Sequence, residues 1–187
     1  PIVVYSIGYN KFRKQRPFSH KFDETINALV KKSVFFSLRN TGSCESIKKH
    51  IDKSLHKKIT LNFCPTLILN EKYKIKNNKT NSVGFVLAGD RLENRHKNID
   101  EFGKNIGKFV NYLKLQKIQS ILISHENDIW IKKYAKFDKF IDLFGKDSRH
   151  IYNTYSKIDT IICDRGHAQM IPFSLGCKII TLISHEK

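Results

Sequence analysis

Arg165 and His167 stand one residue apart, between the apolar run TIIC (160–163) and a stretch that reads as helix. Lys187 follows the next apolar run, KIITLIS (178–184), and Arg39 closes an earlier one, VFFSLRN (34–40). Backbone N–H groups at a helix start favour a bound anion. Gly166, between Arg165 and His167, lets the backbone approach a ligand closely. A guanidinium grips a carboxylate or phosphate through two parallel hydrogen bonds, and an ammonium adds a mobile point charge. An imidazole titrates near neutrality and can deliver a proton. Together these residues suit a small, multiply charged anion undergoing proton-coupled chemistry.

Each residue also has a plainer reading. Arg165 and Lys187, taken singly, would be solvated surface charges. His167 would be a cap or packing residue, and Arg39 a structural partner of Asp23 or Glu45. The stretch AGDR (88–91) could be an ordinary turn in which Asp90 or Asn94 caps the next segment, although Arg91, Glu93, Asn94, Arg95 and His96 crowd it. His125, Glu126 and Asp128 are metal-ligating types, but no spacing pairs them, so no metal is expected. Cys44, Cys64, Cys163 and Cys177 form no CxxC pair and read as reduced, mostly buried thiols. The chain has no GxGxxG, P-loop or GxSxG pattern.

Such residues must be carried by strands and helices. Buried strands are expected at 2–8, 34–40, 82–89, 120–125, 160–163 and 178–184, with a shorter one in 59–69 broken at Pro65. Helices are expected at 23–32, 43–51, 100–115, 128–142, 150–158 and about 167–175, the last stopped by Gly176 and interrupted by Pro172. Apolar runs without period-two alternation, separated by helices, indicate parallel sheets covered on both faces. The fold class is therefore α/β, with two Rossmann-like units: residues 1–69, a polar linker at 70–82, and residues 83–187. Ligands in such sheets sit outside the carboxyl ends of the strands. That rule selects the loops 39–43, 89–94, 124–128 and 164–167 and the tail at 184–187.

The 187 residues hold 34 Lys and Arg against 17 Asp and Glu, a formal net charge of +17. The excess is mostly lysine spread along the chain, without a zinc finger, an arginine-rich arm or an RNA-reading aromatic signature, so no nucleic acid is expected. The charge supports attraction to an acidic small substrate, an anionic polymer or an anionic membrane face. No apolar run approaches the length of a membrane-spanning helix.

Four stretches resemble the polysaccharide pyruvyltransferase family: SLRNTGS (37–43), VGFVLAGDRLENRH (83–96), ISHEND (123–128) and DRGHAQMIPFSLGCKIITLISHEK (164–187). The resemblance implies a two-domain fold like that of the B-type glycosyltransferases. It implies transfer of pyruvyl from phosphoenolpyruvate to two hydroxyls of a surface-polysaccharide sugar, forming a cyclic ketal and releasing phosphate. By position, Arg39, Arg165 and Lys187 would bind the donor and His167 would be the general acid. Asn40 stands where the family has an aspartate. Compared with the family, the chain looks truncated at both ends, with an incomplete N-terminal unit. No cofactor is expected. The expected partners are phosphoenolpyruvate and a saccharide or lipid-linked oligosaccharide, in the cytoplasm, with peripheral association at the inner membrane face. Two rivals stay open: a nucleotide-sugar glycosyltransferase of similar fold, and a non-enzymatic anion-binding module.

Overall fold

The apolar runs become two parallel sheets. A computed structural model describes residues 1–9, 16–90, 92–126 and 128–183, and of Asn94 only the backbone. The chain divides into two compact units, the first Pro1–Pro65 and the second beginning at Thr66.

The first unit runs β1 (Ile2–Ile7), α1 (His20–Lys32), β2 (Ser33–Leu38), α2 (Thr41–Lys48), a 3₁₀ segment (Lys53–Lys58) and β3 (Ile59–Leu61). Its strands lie in the order β1-β2-β3, all parallel. Ile26 and Val30 of α1 and Ile47 of α2 pack against Phe36 and Leu38. Val30 and Leu38 are fully buried, so truncating Leu38 to Ala should cost about 2–5 kcal/mol. Asn40 caps α2, its side-chain oxygen accepting the Ser43 N–H at 2.7 Å. A carboxylate is not needed for that task, so Asn40 has a structural role.

Near its end β1 is irregular. Ser6 has a left-handed backbone (φ 51), and the register with β2 shifts between Val4 and Ile7. The Ser6 N–H donates to the buried Ser37 hydroxyl at 2.8 Å, and its own hydroxyl donates to the Asn62 carbonyl at 3.0 Å. Such bulges bend a strand and re-aim the residues at its exit.

The second unit contains α3 (Leu69–Tyr73), β4 (Thr80–Val86), α4 (Leu92–Arg95), α5 (Ile99–Leu115), β5 (Gln119–Ser124), β6 (Lys139–Asp142), α6 (Ser148–Tyr155), β7 (Ile158–Cys163), α7 (His167–Ser174) and β8 (Lys178–Thr181). The stretch 70–82 holds most of α3 and the first residues of β4. All strands are parallel, in the order β6-β5-β4-β7-β8. Successive residues of the central strands serve opposite faces. Phe85 and Leu122 pack with Val110 and Leu113 of α5, while Val86, Ile121 and Ile123 pack with Tyr155 of α6 and Leu175. Burial on both faces removes the polar alternation that a half-exposed strand would show.

One expectation needs correction. Residues 128–142 are not a helix: they form a 3₁₀ turn (Trp130–Lys133) and the edge strand β6. Asp138 fixes that outcome, its carboxylate accepting both the N–H and the hydroxyl of Ser120 at 2.8 Å and so docking the start of β6 on β5. Residues 59–69 do give a short strand, the three-residue β3, and the chain turns into a 3₁₀ segment at Pro65, as expected. By contrast, α7 does run through Pro172, which is buried. Gly176 (φ 73) then reverses the chain, and the Cys177 N–H returns to the Pro172 carbonyl at 2.9 Å. No helix among the described residues is long and apolar enough to cross a membrane.

Candidate functional site

In the second sheet the strand order reverses between β4 and β7. The chain works outward through β5 and β6 on one side and through β7 and β8 on the other. A reversal of this kind opens a crevice at the carboxyl ends of the two central strands. The residues that emerge there are Ala88, Gly89 and Asp90 after β4, and Asp164 and Arg165 after β7.

Two buried aspartates hold this crevice. Asp128, fully buried, accepts the Gly89 N–H at 2.8 Å, the His125 N–H at 3.1 Å and an Arg165 N–H at 2.7 Å. It thereby ties together the loops that follow β4, β5 and β7. Asp164 accepts the Ala88 N–H at 2.9 Å through one oxygen. Its other oxygen is buried without a hydrogen-bond partner among the described residues, 3.8 Å from the Nε2 of His96, which likewise has none among them. Burial pushes the Asp164 carboxyl up, against the pull of the Ala88 N–H and of Arg95 and Arg165. Burial, helped by the neighbouring Arg95 charge, pushes the His96 imidazole down. The His96 ring stacks on Phe102 at 4.0 Å, beside Trp130, whose indole N–H donates to the Leu87 carbonyl.

Arg165 is consequently not a free cation. Its Nη2 lies 2.7 Å from Asp128 and 3.3 Å from Asp90, and Nη1 lies 3.8 Å from the exposed Glu126. Burial opposes its charge, but Asp128, then Asp90 and Asp164, outweigh that and raise its pKa. Its Nε is buried with no hydrogen-bond partner among the described residues. Arg95 braces the same cluster, reaching the Asp90 carboxylate at 3.1 Å and the Asp164 carbonyl at 3.4 Å. Among the described residues, the carboxylates of Asp90, Glu126, Asp128 and Asp164 outnumber the guanidinium groups of Arg95 and Arg165 here.

Behind the crevice, His125 Nε2 meets the hydroxyl of fully buried Tyr155 at 2.5 Å. Burial drives the Tyr155 pKa well up and the His125 pKa down. Burial thus favours the uncharged form of both partners in this contact.

His167 opens α7 and is exposed, as is Gly166 before it. Arg165 and His167 thus flank one strand-to-helix junction. Arg39 belongs to the first unit, directly after β2, where its N–H donates to the Ile7 carbonyl at 2.9 Å. Its side chain forms no ion pair with Asp23 or Glu45; Asp23 is taken by His50, at 2.7 Å. Lys187 and Arg91 lie outside the described residues. No group of three or more potential metal ligands occurs among the described residues. Sequence reasoning noticed Asp128 only as a metal-ligating type and did not single out Asp164. The available signal was their place at or just beyond strand ends, but the pairing of the loops follows from a strand order that no local pattern encodes.

Neither a curated protein nor a solved structure matched the chain. A family model did, over residues 1–186, spanning both sheets, the bulged β1 and the β4–β7 crevice. The chain therefore belongs to the polysaccharide pyruvyl transferase family, a family of enzymes.

Proposed function

We propose that this chain transfers a pyruvyl group from phosphoenolpyruvate to two hydroxyls of a sugar in a surface polysaccharide or its lipid-linked precursor. The observation that carries this reading is the family match over nearly the whole chain. Two parallel-sheet units are the parts that a fold like that of the B-type glycosyltransferases requires.

Arg39, Arg165 and Lys187 share the carboxylate and phosphate of the donor. Asp128 already engages one Arg165 nitrogen, so Arg165 offers the donor its remaining N–H groups. Among the described residues carboxylates predominate around Arg165, which assigns much of the donor's countercharge to the other cations of the proposal. Protonated His167 delivers its proton to the methylene carbon, which becomes the methyl group. A sugar hydroxyl adds to the central carbon and its proton returns to the imidazole. Phosphate leaves, and the second hydroxyl closes the ketal as its proton is lost. The same cations meet the phosphate as donor and as leaving group. The reaction belongs on the cytoplasmic side, at the inner face of the membrane, where a lipid-linked acceptor is presented.

The test is release of phosphate from phosphoenolpyruvate that depends on an added acidic or neutral oligosaccharide, with the ketal identified in the product by mass. Consumption of a nucleotide sugar with phosphoenolpyruvate untouched would replace this reading with that of a glycosyltransferase. His167→Ala is expected to lower turnover about 100-fold or more while leaving donor affinity roughly unchanged; near-full turnover would remove the acid from His167.

A further inference from the structure

We propose that Gly8 is a positioning residue: the space left by its absent side chain is the slot that holds the Arg39 guanidinium. The inference rests on the reading of Arg39 as a donor-binding residue and deepens it. A Cβ built on Gly8 would lie 2.6 Å from both Cζ and Nη2 of Arg39, with Nε also in contact. Each approach is far inside van der Waals contact, so no other residue can stand at position 8 while Arg39 keeps its place. Conformation is not the reason for the glycine. Gly8 is not among the glycines with a left-handed backbone; those are Gly145 and Gly176. The requirement is for space, and the group that needs the space is a charged tip.

The local backbone is arranged for this approach. The bulge at Ser6 shifts the register so that Ile7 pairs with Leu38 and its carbonyl receives the Arg39 N–H at 2.9 Å. Gly8 then lies against the Arg39 side chain. Arg39 is half-buried and has no carboxylate partner among the described residues, so the glycine backbone, not an ion pair, confines it. A guanidinium held in place before the ligand arrives loses less rotamer freedom on binding.

Two variants of the full chain separate the inference from the reading beneath it. Gly8→Ala displaces only the far end of a flexible side chain, so its melting temperature should stay close to that of the parent. Arg39, moved into solvent, should react faster with phenylglyoxal, followed at its own peptide by mass spectrometry. Phosphoenolpyruvate binding, read by calorimetry, should weaken about 10- to 100-fold in Gly8→Ala and in Arg39→Ala. The double variant should be no weaker than Arg39→Ala alone. Unchanged phenylglyoxal reactivity of Arg39 in Gly8→Ala, or losses that multiply in the double variant, would overturn the role of Gly8. Unchanged donor affinity in Arg39→Ala would instead overturn the donor-binding reading, and the reactivity measurement would still decide whether Gly8 positions the side chain.

Discussion

Asp128 shows how one residue can serve structure and site together. It is fully buried, and its partners are two backbone N–H groups and one guanidinium from three different loops. Asp128→Asn keeps the size but weakens three charge-assisted hydrogen bonds and leaves Arg165 facing a neutral group. The expected loss is about 2–3 kcal/mol in chemical denaturation, with Arg165 part-exposed and so partly rescued by water. If Asp128 only filled space, the isosteric amide would be nearly neutral. The residue types at this crevice were legible: Arg165 and His167 stand where the sequence pattern placed them, at the end of a strand and the start of a helix. The degree to which Arg165 is already engaged was not. Asp90, Glu126 and Asp128 reach it from positions 37 to 75 residues earlier in the chain, and only the sheet's strand order brings those loops together.

At the scale of elements, the short α2 depends on its cap. Asn40 satisfies the Ser43 N–H and also sits next to Arg39. Asn40→Ala should lower the stability of the chain by about 1 kcal/mol in urea unfolding, whereas Asn40→Asp should be tolerated, because either side chain accepts the same bond. A large loss with Asp would show that the amide nitrogen, not the oxygen, is needed. The long apolar strands were readable because parallel strands buried on both faces leave continuous runs; β4, β5 and β7 are such cases. β6 was not, because Ile129, Trp130, Tyr134, Phe137 and Ile141 fall at helical spacing, although only Trp130 lies in the 3₁₀ turn and only Ile141 in the edge strand, the other three standing in the irregular chain around them. Trp130, Tyr134 and Phe137 pack on the core beside α5, Ile141 packs on the opposite face and Ile129 is exposed, so the periodicity was coincidental and the Asp138–Ser120 bonds decided the outcome.

Across the whole molecule, two half-buried histidines tie stability to acidity. The folded-state pKa values of His96 and His125 lie below 6.5, with burial the first cause of each. As pH falls through 6.5 the unfolded chain takes up protons that the folded chain resists, so both residues make the fold less stable in acid. Asp164 acts in the opposite sense. Its raised folded-state pKa favours the folded form as pH falls towards 3.8. His96→Phe isolates one contribution, since a phenyl ring keeps the stack on Phe102 and cannot titrate. The variant should lose less melting temperature than its parent between about pH 7.5 and about pH 5.5. Equal losses would mean that His96 takes no part in the acid response.

Trp130 is the sole tryptophan of the chain, and its half-buried indole packs against the second unit's core with its N–H on the Leu87 carbonyl, next to His96. The molecule thus carries an intrinsic fluorophore tuned to one of its two halves. Emission will follow melting of that half alone, while far-ultraviolet circular dichroism follows both. Separation of the two curves would measure directly how much the halves cooperate, and a quenched or shifted emission on adding ligand would register occupancy beside the central strands without any attached dye.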